Sequence, residues 1–105
     1  MEYIGNIYLD KLILKTETPI VIYGAGKIGK IIFEILKNNN KDKNVCCFCD
    51  RKIKGNMYNQ ISVILPEKAV IQYPEACYIV SGSYAKEMMQ FLWGNHIKRI
   101  HLVFV

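Results

Sequence analysis

With 105 residues, 51% of them hydrophobic and 22% charged, the chain has room for one domain, which buries about two-thirds of the surface its unfolded form exposes; disorder is not expected beyond the ends. The formal charge of +5 is concentrated between Lys37 and Lys54, where six basic residues stand against two acidic ones; lacking interleaved aromatics or a recognition helix, this segment reads as a solvated face, with an anionic small ligand as the alternative and nucleic acid disfavoured. No apolar run reaches the roughly 18 residues of a bilayer span, and Met1-Glu2-Tyr3 lacks the basic start and apolar stretch of a signal peptide, so a cytoplasmic protein without membrane insertion is expected.

Residues 3–14, YIGNIYLDKLIL, place apolar groups at Ile4, Tyr8 and Leu12 with Ile7 and Leu9 beside them, the spacing of a short helix. Residues 1–17 are expected to lead into a single domain over residues 18–105. After the break at Thr16 to Pro19, IVIY is a continuous apolar run of the kind buried on both faces of a parallel sheet. Beyond Gly26 the apolar positions Ile28, Ile31, Ile32, Ile35 and Leu36 form the stripe of a helix that packs one face on a sheet, and Asn38 to Asn40 ends it. NVCCFCD follows as a second strand, so strand, helix and strand fit a right-handed parallel crossover.

After Asp50 the sequence RKIKGNMYNQ predicts a loop and ISVIL a short strand. Pro66 suits the first position of a helix and Glu67 its first turn, with the end before Pro74. CYIVSG is then a strand, Ser83 an N-cap, and YAKEMMQFLW a helix with Met88, Phe91 and Leu92 on one face, closed by Gly94. IHLVFV is a last strand. The alternation predicts a three-layer α/β domain with a mainly parallel sheet of about five strands, in which residues 20–24 are central, between the strand ending at Asp50 and the strand beginning at Cys77.

Three of the four cysteines fall in CCFC at positions 46, 47 and 49. On a regular strand Cys47 and Cys49 share one face and Cys46 takes the other, so they cannot converge on one tetrahedral ion. Core thiols and no metal are expected.

IVIYGAGKIGKII satisfies two phosphate-binding patterns. Gly24, Gly29 and Lys30 fit the core of a triphosphate loop, but Ile31 stands where a Ser or Thr hydroxyl would ligate magnesium. Gly24, Gly26 and Gly29 fit the dinucleotide turn: the first makes the turn out of the strand, the second leaves room for a pyrophosphate, and the third lets the helix approach the strand. Asp50, at the end of the second strand, stands where an acidic residue accepts bonds from ribose hydroxyls. The alternative is that the glycines serve packing alone. Tyr23 and Lys27 reproduce a Tyr-x-x-x-Lys spacing, but one ends a strand and the other opens a helix, so the match is chance. His96 and His101 lack an acidic or nucleophilic companion and read as structural.

At VIYGAGKIGKIIFEIL, CFCD, ISVILPEKA and YIVSGSYAKEM the chain resembles the small Rossmann-like N-terminal domains of bacterial polysaccharide-biosynthesis epimerase/dehydratase proteins and, more remotely, of sialic-acid-type sugar acyltransferases. The resemblance covers about residues 18–105. It implies binding of NAD, or of a UDP-sugar in the same crevice. Gly24, Ala25, Gly26, Lys27, Ile28 and Gly29 match the phosphate turn, Asp50 with Arg51 beside it the ribose or base contact, and Ser81, Gly82 and Ser83 the turn after the next central strand. The chain is expected to lack both the catalytic epimerase domain and the left-handed hexapeptide helix into which those proteins continue. A binding module or subunit of surface-polysaccharide biosynthesis, not catalytic by itself, is therefore expected. The alternative is a minimal NAD-dependent nucleotide-sugar dehydrogenase or epimerase completed by a partner chain. The apolar IHLVFV suggests a homo-oligomer or a partner catalytic chain that covers it.

Overall fold

Four consecutive apolar residues, Ile20 to Tyr23, form β1, and all four are buried. In the computed structural model, which describes residues 17–53, 55 and 57–103, this strand lies in the middle of a six-stranded sheet. The helix expected over residues 3–14 lies outside the described residues.

From β1 (Ile20–Tyr23) the chain runs through α1 (Lys27–Asn38) and a 3-10 turn at Asp42–Asn44 to β2 (Val45–Cys49). A hairpin of β3 (Met57–Tyr58) and β4 (Ile61–Ile64) follows, then α2 (Pro66–Gln72), β5 (Cys77–Ser81), α3 (Ala85–Gly94) and β6 (Arg99–Val103). The strand order is β3-β4-β2-β1-β5-β6. β1 pairs in parallel with β2 and with β5, as expected, and the pairs β2–β4 and β5–β6 are parallel too. The domain is thus α/β with a mostly parallel sheet and three helices among the described residues, with six strands rather than about five.

The sixth strand comes from the segment expected to be a loop. Met57 pairs with Ser62 and Tyr58 with Ile61 in an antiparallel hairpin, whose two linking residues, Asn59 and Gln60, both have positive φ (53° and 67°). That geometry suits the right-handed twist of paired strands. Asn-Gln hides the turn, because glycine normally takes the second of these positions. Tyr58 then caps the edge of the core: its ring packs edge-on against Phe33 and Phe48, and its hydroxyl donates to Glu34 Oε2 at 3.0 Å.

Side-chain alternation along β1 creates two apolar clusters. Ile20 and Ile22 meet Ile32, Phe33 and Leu36 of α1, with Phe48 and Ile79. Val21 and Tyr23 point the other way, into Cys47, Cys49, Tyr78 and Val80, with Ala69 and Val70 of α2 and Leu92 of α3. Each large side chain fully removed from water contributes roughly 1.5–3 kcal/mol.

The cysteines depart from the expected alternation. Ile20 pairs with Val45 but Val21 with Cys47, so Cys46 is an extra, bulged residue. The bulge turns Cys46 toward the cluster that holds Cys47 and Cys49 instead of the opposite face, and its thiol donates to Ile20 O at 3.3 Å. All four cysteines are free thiols. Among the described residues no group of three His, Cys, Asp or Glu side chains is placed to hold a metal ion.

Helix ends correct two details. α1 closes as expected in the asparagines: Asn39 Nδ2 donates to Ile35 O at 2.8 Å and Asn40 turns at φ 62°. α3 repeats that device with Asn95 Nδ2 on Phe91 O at 2.9 Å and His96 at φ 64°; Gly94 is merely its last helical residue. Ser83 does not cap α3, which begins at Ala85 behind Tyr84 without a side-chain cap, because Gly82 at φ 92° already makes the turn out of β5. Pro66 takes the first turn of α2 as the sequence predicts. Among the described residues no helix is long and apolar enough to cross a membrane.

Gln60 at φ 67° holds a conformation that costs an L-residue about 1 kcal/mol more than glycine. Gln60→Gly is expected to raise the urea midpoint, a gain of up to about 1 kcal/mol after the added unfolded-state entropy is counted. A lowered midpoint would contradict the hairpin geometry.

Candidate functional site

β1 ends at Tyr23, and Gly24 turns the chain at φ 115°, a conformation side chains rarely adopt. Gly24 N–H donates to Cys49 O at 2.7 Å, continuing the β1–β2 ladder by one bond. Gly26 stands at the N-cap of α1, and the first α-helical bond runs from Lys30 N–H to Gly26 O at 3.1 Å. The N–H groups before it have no partner within the helix, and they carry its positive end. A Cβ at Gly26 would meet nothing within 4 Å, whereas a Cβ at Gly29 would lie 1.9 Å from Gly24 O. Of the three glycines, the first is required by conformation and the third by contact, while the second opens onto free space.

Asp50 follows β2 and is bound to this turn. Its Oδ2 accepts from Ala25 N–H at 2.8 Å, and its Oδ1 accepts from Lys52 N–H at 2.7 Å and Ile53 N–H at 3.0 Å. Partial burial pushes the Asp50 carboxyl up, but the N–H groups of Ala25, Ile53 and Lys52 outweigh it and hold the group below its ordinary value. The carboxylate expected to face a ribose thus joins the glycine turn to the end of β2.

A crevice of about 390 Å³ opens at the C-terminal ends of β1 and β2. Tyr23, Gly24, Asp50, Arg51 and Lys52 line one side, and Tyr84, Glu87 and Met88 of the α3 entrance line the other. It lies where the chain leaves β1 over one face of the sheet by α1 and reaches β5 over the other face by α2. Such reversals of strand order are where open α/β sheets bind ligands. Tyr84, at the mouth, is 64% exposed.

Arg51 connects several elements here. Its guanidinium is ion-paired with Glu67 of α2 and lies 4.9 Å from the ring centre of Phe91 in α3. Phe91 in turn meets Tyr23 edge-on, with ring centres 6.4 Å apart. Burial, reinforced by Cys49 and opposed by Arg51, pushes the Tyr23 hydroxyl up to about 12. Hydrogen bonding to Glu67 raises Arg51 further.

Of the residues matched to a binding turn, the structure brings Gly24, Asp50 and Arg51 to the crevice. Ala25 is buried in the apolar cluster on the α1 side. Gly26, Lys27 and Ile28 form the start of α1, and Gly82 adjoins Ile28, whose Cδ1 lies 3.8 Å from where a Cβ of Gly82 would be. Ser81 is buried at the end of β5, and Ser83 is exposed; neither lines the crevice. Tyr23 faces the cluster opposite the α1 side, so it does not join Lys27 in a Tyr-Lys pair. His101 is partly buried in β6, where burial lowers its pKa; His96 takes the turn after α3. The sequence pattern does not mark Tyr84 and Glu87, and it places Met88 only on the apolar face of its helix, although the i, i+3, i+4 spacing of the three at a helix entrance puts them on one surface.

Residues 19–90 match the family model of the PglD N-terminal domain. No curated protein and no solved structure matches the chain.

The three bonds to Asp50 generate a stability test. Asp50→Asn turns an amide N–H₂ or a reoriented carbonyl toward Ala25 N–H, and a loss of about 2 kcal/mol at neutral pH is expected from charge-assisted bonds. Because the folded pKa is depressed, the contribution is complete above the unfolded value of about 3.9 and is lost as the pH falls through the folded one. Urea titrations should show the two proteins converging in stability in that acid range. A difference that stays constant there would mean that the carboxylate charge is not what holds the turn.

Proposed function

This chain belongs to the PglD N-terminal domain family, the N-terminal domain of a bacterial sugar acetyltransferase in glycan biosynthesis, and we propose that it binds a nucleoside-diphosphate sugar in the crevice at the ends of β1 and β2. One observation carries the reading. An exposed aromatic ring at Tyr84, two cations at Arg51 and Lys52, and the glycine turn that leads into α1 converge on one concavity. A nucleotide offers the complement of each: a planar base for the ring, and phosphates for the cations and the helix end. Open space at Gly26, two residues beyond the crevice-lining Gly24, leaves room for a diphosphate to pass the backbone.

The same geometry favours a nucleotide-sugar over NAD. Asp50 already accepts three N–H bonds, of about four lone-pair sites that a carboxylate has, so little remains for reading both hydroxyls of a ribose. The crevice volume of about 390 Å³ is near the low end for ligand pockets, roughly 300–1,000 Å³, and suits one nucleotide unit better than two.

Binding without chemistry is the second part of the proposal. Among the described residues that line the crevice, Asp50 is pushed down and Tyr23 up, both away from neutrality. A general acid or base works best with a pKa near the working pH. The domain would hold the sugar-nucleotide while a catalytic partner or attached domain acts on the sugar.

Titration calorimetry with a uridine diphosphate sugar and with NAD tests the reading, and the sugar is expected to bind the more tightly. Gly26→Val should abolish binding and leave the fold intact, since its Cβ meets nothing within 4 Å. Tyr84→Ala should weaken binding about tenfold, the scale of one base–aromatic stack. Failure of the folded protein to bind either ligand at millimolar concentration would reduce the glycine turn to a packing device.

A further inference from the structure

The nucleotide reading leaves Glu67 without a role. Glu67 stands in the first turn of α2, does not line the crevice, and pairs with Arg51, which does. The Phe91 ring 4.9 Å beneath the guanidinium supports Arg51 in place, and a planar guanidinium is well suited to paired anionic oxygens. Two anions therefore have a claim on Arg51: the Glu67 carboxylate and a phosphate in the crevice.

We propose that Glu67 is an internal competitor for Arg51, and that it lowers the affinity of the crevice for ligands carrying a diphosphate while leaving that for the same ligands without one unchanged; this rests on the nucleotide reading above. The side chains of Arg51 and Glu67 are 51% and 54% exposed, and an ion pair in that setting is screened by water and weak. A diphosphate carries more charge than one carboxylate and offers several oxygens to the same fork of donors, so it takes Arg51 over. A nucleoside brings no charge and leaves Arg51 with Glu67. Release costs Glu67 little, because its carboxylate returns to water at the start of a helix, where negative charge is favoured. Hydrogen bonding from Arg51 holds the Glu67 carboxyl below the usual carboxylate range, so the competitor is ionised at neutral pH.

The contrary geometry gives the opposite outcome: if Glu67 instead orients Arg51 toward the ligand, its removal weakens binding. Titration calorimetry of the full chain with UDP and with uridine separates the two. Glu67→Gln keeps the shape and removes the charge; it is expected to bind UDP about two- to fivefold more tightly than the unaltered protein, the scale of an exposed ion pair, with uridine affinity unchanged. Arg51→Gln should weaken UDP binding and abolish the effect of Glu67→Gln in the double variant, with circular dichroism checking that each variant is folded. Equal or weaker UDP binding by Glu67→Gln overturns the competitor role and leaves the nucleotide reading standing. Absence of UDP binding by both the folded unaltered protein and Glu67→Gln overturns the nucleotide reading, and the competitor with it.

Discussion

Helix α1 lies so close to the turn before it that one carbon atom does not fit between them. A Cβ at Gly29 would be 1.9 Å from the carbonyl oxygen of Gly24, and such an overlap forces backbone to move. This contact sets the depth at which α1 meets the sheet, and hence the height of its N-terminus above the end of β1. The two other fixtures of the site follow from it. Ala25 is brought within 2.8 Å of Asp50 Oδ2, and that bond ties the turn to β2. Asp50 then uses its second oxygen to fold Lys52 and Ile53 back, with Arg51 between them beside the crevice. The glycine turn therefore positions the cations opposite Tyr84 as well as the amides of α1.

Much of this was legible because buried parallel strands write themselves as unbroken apolar runs. IVIY, VCCFC and CYIVS are each recognisable, and of the helical stripe Ile28, Ile31, Ile32, Ile35 and Leu36 all but Ile31, which is exposed, pack against the core. Asp50 was recognisable as a residue of the site, yet its task was not. A carboxylate at a strand end can face a ligand or fold back on backbone amides, and only the coordinates of Ala25, Lys52 and Ile53 distinguish the two. The crevice wall was hidden for a different reason. Tyr84, Glu87 and Met88 belong to the entrance of α3, whose start shifts by one residue when Gly82 rather than Ser83 sets the turn.

The features missed in the fold share one cause. β3 is two residues long and depends on Asn59 and Gln60 both adopting positive φ, which composition does not announce when glycine is absent. The bulge at Cys46 likewise leaves no local mark, since Val-Cys-Cys-Phe-Cys reads as a regular strand. Bulges are rare between parallel strands, and this one brings Cys46 to the face already holding Cys47 and Cys49. There a hydrogen bond from Cys47 lowers the Cys46 thiol, whereas the thiol of Cys77 is raised to about 12 by burial. Strand period alone therefore misjudges which thiols are neighbours.

The place of β1 in the sheet also governs how the chain reaches its structure. Ile20 pairs with Val45 on one side and with Cys77 on the other, so the central strand has no partner near it in sequence. Its first neighbour arrives after the whole of α1, and its second only after the hairpin and α2 as well. Closing such loops costs entropy before any ladder bond repays it, and non-local pairing of this kind slows folding relative to helical domains of similar size. The central strand, buried on both faces once complete, thus depends for both its neighbours on segments distant from it in the chain.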